Sequence, residues 1–251
     1  MRRGFAREAV PPFVVFGLVI AAWYFVSTFV IDEDRRFLLP PPQQVVAVGL
    51  LDRANLGEIL GALLITTTVA LTGLAIAIAV GMTFAILMHQ ARWIERSFYP
   101  YAVVLQTIPI LALVPLIGFW FGFDFPSRVL VCILIAIFPI ITNTMLGLKS
   151  TDRTHHDLFT LHGASRLTRL VKLELPSALP AIFTGLRTSA GLSVIGAIVG
   201  EFFFKQGMTG IGRLLDNYRA RLQTEQLFTA IFFSSLLGLV VFWFFGLVSQ
   251  R

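Results

Sequence analysis

Apolar residues run along this chain in long blocks, with short polar stretches between them. The first block, residues 13–30, is just long enough to cross a hydrocarbon core of ~30 Å as a helix. Polar stretch 31–57 contains Leu39, Pro40, Pro41 and Pro42, a run that predicts extended backbone because successive prolines forbid helix. Residues 43–53 follow with Val45, Val46, Val48 and Leu51 available for one side, which predicts a short interfacial helix. Block 58–88 is longer than the hydrocarbon core requires, so its ends lie in the interface or the helix tilts. Residues 89–97 read as a turn. Block 101–121 is irregular: Pro109 and Pro115 interrupt it, and Gln106 and Thr107 precede the first proline. A tight turn at 122–126 leads to a fourth block at 128–148, and two more lie at 177–200 and 227–248. The predicted fold class is an all-α integral membrane protein with about six transmembrane helices.

Composition agrees. Of 251 residues, 56% are hydrophobic and only 14% charged, whereas a soluble domain carries about a quarter charged residues. The net charge of +6 does not imply nucleic acid, because the basic residues lie in loops, as loops on the cytoplasmic side do. Cys132 is alone inside an apolar run, so no disulfide forms within the chain. Arg2, Arg3 and Arg7 precede the first block. That outline is shared by signal peptides, but the block is long for one and lacks a small-residue cleavage pattern. It is read as the first span, with the N-terminus and residues 249–251 cytoplasmic.

The densest basic region is 149–175, with Lys149, Arg153, Arg166, Arg169 and Lys172. Within it, 154–161 is predicted as a short helix that Asp157 is placed to cap. Gly163 breaks it, since glycine permits a left-handed turn. A second piece, 165–175, is ended by Pro176. Leu167, Leu170 and Val171 share one face of it, while Arg166, Arg169 and Lys172 take another. Such an element is suited to docking. His155 and His156 are adjacent and point about 100° apart on a helix, a poor metal pair.

This region resembles the cytoplasmic loop of importer permeases of the ATP-binding-cassette (ABC) class, whose pattern is E-A-A-x3-G-x9-I-x-L-P. Asp157, Leu158 and Phe159 stand at E-A-A, Gly163 at the glycine, and Leu173, Glu174, Leu175 and Pro176 at I-x-L-P. Every spacing fits, while the letters depart at Asp157, Leu158, Phe159 and Leu173. Gln106-Thr107-Ile108-Pro109, Pro115-Leu116 and Phe119-Trp120-Phe121-Gly122 are similar to the branch that imports sulfonates, taurine, nitrate and vitamin precursors. The resemblance implies the type I importer fold, with residues 58–247 as the transmembrane domain, 1–57 as an N-terminal tail, first span and external loop, and 149–176 as the coupling loop. Asp157, Leu158, Phe159, Gly163, Ala164, Arg166, Leu173, Leu175 and Pro176 would seat in an ATPase subunit. The implied partners are that ATPase (carrying ATP and Mg), a second permease copy in a homodimer, an extracytoplasmic solute-binding protein and the lipid bilayer of a bacterial inner membrane. No cofactor is implied in this chain.

A pathway through the membrane would be lined by polar or proline-broken positions: Gln106, Thr107, Pro109, Pro115, Asn143, Ser193 and Glu201. Proline frees backbone carbonyls, which are tolerated where protein or a water-filled path satisfies them. Asn143 is more often interhelical glue than a substrate contact at such a position. The small residues Gly185, Ser189, Gly191, Ser193 and Gly196 predict close packing of the fifth span. Arg187 is read as snorkelling from near the start of that span. Glu201 is read as interfacial; the resemblance implies an acidic residue there that fixes the neighbouring loop or lines the external mouth. No Ser-His-Asp, Cys-His or paired-carboxylate arrangement and no metal-ligand spacing stands out, and no nucleotide-binding motif occurs. The chain is read as a permease subunit without enzymatic activity. The alternative is a single-chain secondary transporter or channel, which predicts inverted repeats and midplane ionisable residues.

Overall fold

The computed structural model describes the backbone of residues 2–248 and the side chains of residues 10–247. The side chains of Arg2, Arg3 and Arg7 and the tail at 249–251 lie outside the described residues, so their expected cytoplasmic placement is not addressed by them. Among the described residues the secondary structure is entirely helical. Five helices are long and apolar enough to cross a membrane, or six spans if one bent pair is counted as a broken span.

Helix α1, Arg2–Phe25, continues into a π-helical turn, Val26–Val30. A 3-10 turn, Glu33–Leu38, follows. Pro41 is extended as expected, but Leu39 lies at a bend, and Pro42 opens a helix, α2 Pro42–Val45, at the first helical position, where an N–H has no partner within the helix. A π turn, Val46–Leu51, completes this segment, which therefore stops short of the predicted end at residue 53. Helix α3, Arg53–Gln90, is a single rod. The turn predicted at 89–97 shrinks to Ala91, because α4, Arg92–Thr107, starts at once.

The predicted third span is not straight. Helix α4 and helix α5, Ile110–Phe121, meet at a 103° bend. Ile108 and Pro109 are extended there, and Pro109 caps α5 through its carbonyl, which accepts from Ala112 N at 2.9 Å. Pro115, predicted as a second break, lies inside an unbroken helix. Helix α6, Phe125–Lys149, begins with Asp124 as N-cap and Pro126 in its first turn. Gly122 makes the preceding turn with φ +86°.

Helices α7, Arg153–Leu161, and α8, Arg166–Arg169, occupy the stretch expected to be the coupling loop. Pro176 does not end the second piece. A π turn, Leu170–Glu174, carries α8 directly into α9, Leu175–Phe203. Leu175 N bonds back five residues to Leu170 O. This wider turn makes room for the Pro176 ring where a regular turn would clash. The extra residue in the turn also splits the predicted apolar face: Leu170 is buried, while Leu167 and Val171 are exposed. Helices α10, Ile211–Ala220, and α11, Thr224–Val248, complete the chain.

The chain divides into two compact units. The first comprises Met1–Gly61 with Leu214–Phe233. Its proline run is held by Trp23 Nε1 donating to Pro40 O at 3.1 Å and Ser27 Oγ donating to Leu39 O at 2.7 Å. Trp23 also stacks on Phe228. The second unit comprises Ala62–Arg213 with Ser234–Arg251. Its core is the packing of α6 on α9, and there the predicted small residues act. A side chain at Gly185 would strike Pro139 O and Asn143, and one at Gly196 would strike the Cys132 backbone. Ser189 Oγ donates across the seam to Ala136 O at 2.6 Å. Gly191 differs, since it faces open space.

Candidate functional site

The element from Asp152 to Glu174 is assembled by local capping. Asp152, not Asp157, is the N-cap of α7, and its carboxylate accepts from Thr154 N at 2.9 Å. That hydrogen bond holds the Asp152 carboxyl below the usual carboxylate range. At the other end Gly163 has φ +64°. Ala164 N reaches back to Phe159 O and Gly163 N to Thr160 O, both at 3.0 Å. This pair of bonds satisfies carbonyls that the helix end would otherwise leave free. Ser165 then caps α8 by accepting from Thr168 N. Arg169 Nη2 donates to Thr160 Oγ1 at 3.0 Å, tying the two arms together.

The outer face of this hinge is apolar and open. Leu161 is 85% exposed, and Leu158, Leu167 and Val171 are exposed as well. Leu158, Phe159, His162, Ala164, Thr168 and Lys172 surround a hollow of about 440 Å³. Of the predicted coupling residues, Leu158, Phe159 and Ala164 meet at this hollow, while Asp157 and Arg166 stand exposed beside it. Leu173 is buried, Leu175 half-buried and Pro176 exposed at the start of α9. These groups present an open, mainly apolar surface.

The predicted pathway residues are not gathered in one place. Gln106, Thr107 and Pro109 sit exposed at the α4–α5 bend, and Pro115 is half-buried one turn into α5. Asn143 is half-buried on α6 and donates to Pro139 O at 2.8 Å, beside Gly185 of α9. Ser193 is buried and bonds within its own helix. Arg187 lies 4.1 Å over the Phe242 ring of α11, well inside α9 rather than near its start.

Glu201 is fully buried instead of interfacial. Its Oε2 accepts from Thr66 Oγ1 at 2.8 Å and from Gly212 N at 3.0 Å. Arg128, also buried, donates to Met208 O at 2.8 Å and Phe204 O at 3.0 Å, and to Gln206 O. Together they clamp the loop at 204–210. Sequence reasoning took Arg128 only as the start of a span. A cation in the first turn of an apolar helix, followed downstream by a lone acid, was the available signal.

Glu174 was also missed, hidden at the variable position of the I-x-L-P pattern. It is buried in the π turn, with Oε2 3.1 Å from His89 Nε2 at the end of α3 and Oε1 3.9 Å from His156 Nδ1 on α7. Lys149 at the end of α6 pairs with Glu95 of α4 nearby in sequence to Ala91.

Comparison with known proteins gives a consistent answer. The family profile described as binding-protein-dependent transport system inner membrane component matches residues 73–251. The chain is 35% identical to the formylaminopyrimidine transport permease protein ThiX of Halalkalibacterium halodurans, over 96% of this chain and 93% of that one. It is 33% identical to the riboflavin transport system permease protein RibX of Chloroflexus aurantiacus, covering 85% and 79%. It is also 33% identical to the putative aliphatic sulfonates transport permease protein SsuC of Escherichia coli, covering 91% and 84%. A crystal structure of an amino acid ABC transporter with histidines superposes with a TM-score of 0.60 at 17% identity, over 77% of this chain and 92% of that one. This last likeness is one of fold.

Proposed function

Because the chain belongs to the family of binding-protein-dependent transport system inner membrane components, and is thus a permease subunit of an ABC importer of small solutes, we propose that the hinge α7–Gly163–α8 is where its ATPase subunit seats. The observation that carries this reading is the exposed apolar face around the 440 Å³ hollow, set in the stretch whose spacing matches the coupling loop. A buried location would need no such face, and a solvated loop would not keep Leu161 bare.

ATP and Mg belong on that separate subunit. ATP binding draws two ATPase subunits together, shifts the seated hinges and switches the pathway between outward and inward access. Two copies of this chain form the pathway, and an extracytoplasmic binding protein delivers the solute. The bacterial inner membrane is spanned with both termini and the hinge on the cytoplasmic side, in keeping with the basic residues of 149–175. For the solute, a pyrimidine precursor is the first candidate, on the strength of the near-full-length relative. A riboflavin-type precursor, a small sulfonate such as taurine and nitrate come next. The single-chain transporter reading falls with the family membership.

A detergent pull-down from native membranes, with mass spectrometry of what co-purifies, tests the assembly. Recovery of an ATPase and a binding protein supports it, and ligand screening of that binding protein then names the solute. Recovery of this chain alone, active in proteoliposomes without ATP, overturns it.

A further inference from the structure

We propose that the polar hollow between the first turn of α3 and the α10–α11 turn binds a small solute through an N–H-bearing head, an amine or amidine, as an entry site on the external face. The proposal rests on the membrane orientation given above, which puts the start of α3 outside. The hollow measures about 300 Å³, and every residue around it belongs to the first unit. Small-molecule sites are concave and carry a few convergent polar groups. Here those groups come from Asn55, Glu58, Tyr218, Arg221, Gln223 and Gln226.

The inner wall is short of donors. Tyr218 OH lies 3.1 Å from both Asn55 Oδ1 and Glu58 Oε2. A phenol carries one proton, so it serves one of these oxygens and leaves the other. The Asn55 amide does not turn round, because its Nδ2 donates to Gly49 O at 3.2 Å. Gln226 Oε1 is buried and has no hydrogen-bond partner among the described residues. A buried acceptor left unpaired is costly, and an N–H donor on a ligand removes that cost. The Glu58 carboxylate strengthens the preference, since hydrogen bonds to an ionised acceptor are the stronger kind. Arg221 stands exposed at the mouth, so the outer end of the ligand is neutral or acidic rather than a second cation.

The backbone beside the hollow is strained. Leu222 has φ +55°, the one non-glycine residue with positive φ among the described residues. Gln223 N reaches back to Tyr218 O at 2.9 Å and Leu222 N to Arg219 O at 3.3 Å. That pair of bonds ends many helices, with glycine at the position Leu222 holds. Strain of this kind gathers at ligand sites, where the surrounding structure enforces it. The turn it maintains sets Arg221 and Gln223 against the hollow.

The test uses the full chain in nanodiscs and reads binding by equilibrium dialysis. The probes are two matched pairs: 4-amino-2-methylpyrimidine against 2-methylpyrimidine, and taurine against isethionate, in which a hydroxyl replaces the ammonium. At least one aminated probe is expected to bind, and its amine-free partner to bind about tenfold more weakly. Glu58→Gln and Gln226→Leu are each expected to cost about tenfold in affinity. Gln226→Leu removes an unpaired oxygen, so it should melt at or above the wild-type temperature while it binds more weakly, a split that a purely structural cluster would not produce. Binding of neither aminated probe, equal binding within both pairs, or wild-type affinity in both variants overturns the proposal. Orientation is read separately, with a membrane-impermeant thiol reagent on Ala220→Cys at the exposed end of α10 in intact cells, Cys132 being buried. Labelling from outside supports the entry role. If Ala220→Cys reacts only after the membrane is opened, the orientation has failed and the entry role with it. If it is labelled from outside while the binding results are negative, only the site fails.

Discussion

Thr66 Oγ1 donates to Glu201 Oε2 across 2.8 Å, joining residues 135 positions apart. The same hydroxyl accepts from Ile211 N at 2.8 Å. One threonine thus serves a buried carboxylate and the first amide of α10. Replacing it by the isosteric Thr66→Val leaves both short of a partner, at a cost of about 1–3 kcal/mol. Thermal unfolding in detergent should fall for Thr66→Val and recover in Thr66→Ser. Equal melting of Thr66→Val and wild type would show that the clamp adds nothing.

The loop clamp restricts one glycine and leaves another free. A side chain on Gly210 lands on the Glu201 carboxylate, whereas one on Gly191 meets open space. Gly210→Ala should destabilise by about 1–3 kcal/mol through overpacking. Gly191→Ala, inside a helix, should be neutral or stabilising by about 0.5–1 kcal/mol. Melting temperatures of the two variants, compared side by side, check the contrast.

Gly163 is required for its backbone, at φ +64°, since a side chain there would meet open space. Gly163→Ala should cost the hinge about 1–2 kcal/mol, and Gly163→Asn less. Gly163→Pro cannot adopt φ +64° and loses the bond to Thr160. It should abolish substrate-stimulated ATP hydrolysis in the reconstituted complex while the spans still insert. Normal stimulation in that variant would remove the hinge from the coupling scheme.

Within the first unit, Tyr218 OH lies 3.1 Å from both Asn55 Oδ1 and Glu58 Oε2. Burial, then the Glu58 carboxylate, push the phenol above its usual range. The folded protein therefore favours the neutral phenol. Its contribution is whole below the unfolded value of about 10 and is lost as pH rises through the folded one. Tyr218→Phe should lower stability by about 1 kcal/mol near neutrality and remove part of the alkaline loss. Denaturation followed at neutral pH and above about pH 10 reads both effects.

Much of this arrangement was legible in the residue order. Apolar runs located the spans, and Gly163 located the hinge, because glycine has a local conformational reason to be there. Local rules failed where the backbone register shifts. Pro176 marks a stop in a regular helix but not beside a π turn, and the same turn sends Leu170 inward while Leu167 and Val171 stay out. Pro109 announced a break, but the 103° angle depends on what α4 and α5 each pack against. Arg128 left only a faint mark, a cation in the first turn of an apolar helix, and its partners left none. Its acceptors are backbone carbonyls some 76 to 80 positions downstream, which carry no side-chain signature.

The continuity of α8, the π turn and α9 has a mechanical meaning. From Arg166 to Phe203 the chain is one helical run of 38 residues, about 55 Å at the rise of an α-helix. One end carries the hinge at Gly163, and the other runs into the loop that Arg128 grips. Had Pro176 broken the run, any displacement of the hinge would be absorbed at a soft joint. Unbroken, the run joins the Gly163 turn to the gripped loop through continuous helical backbone, braced along its length by α6, with no joint between them.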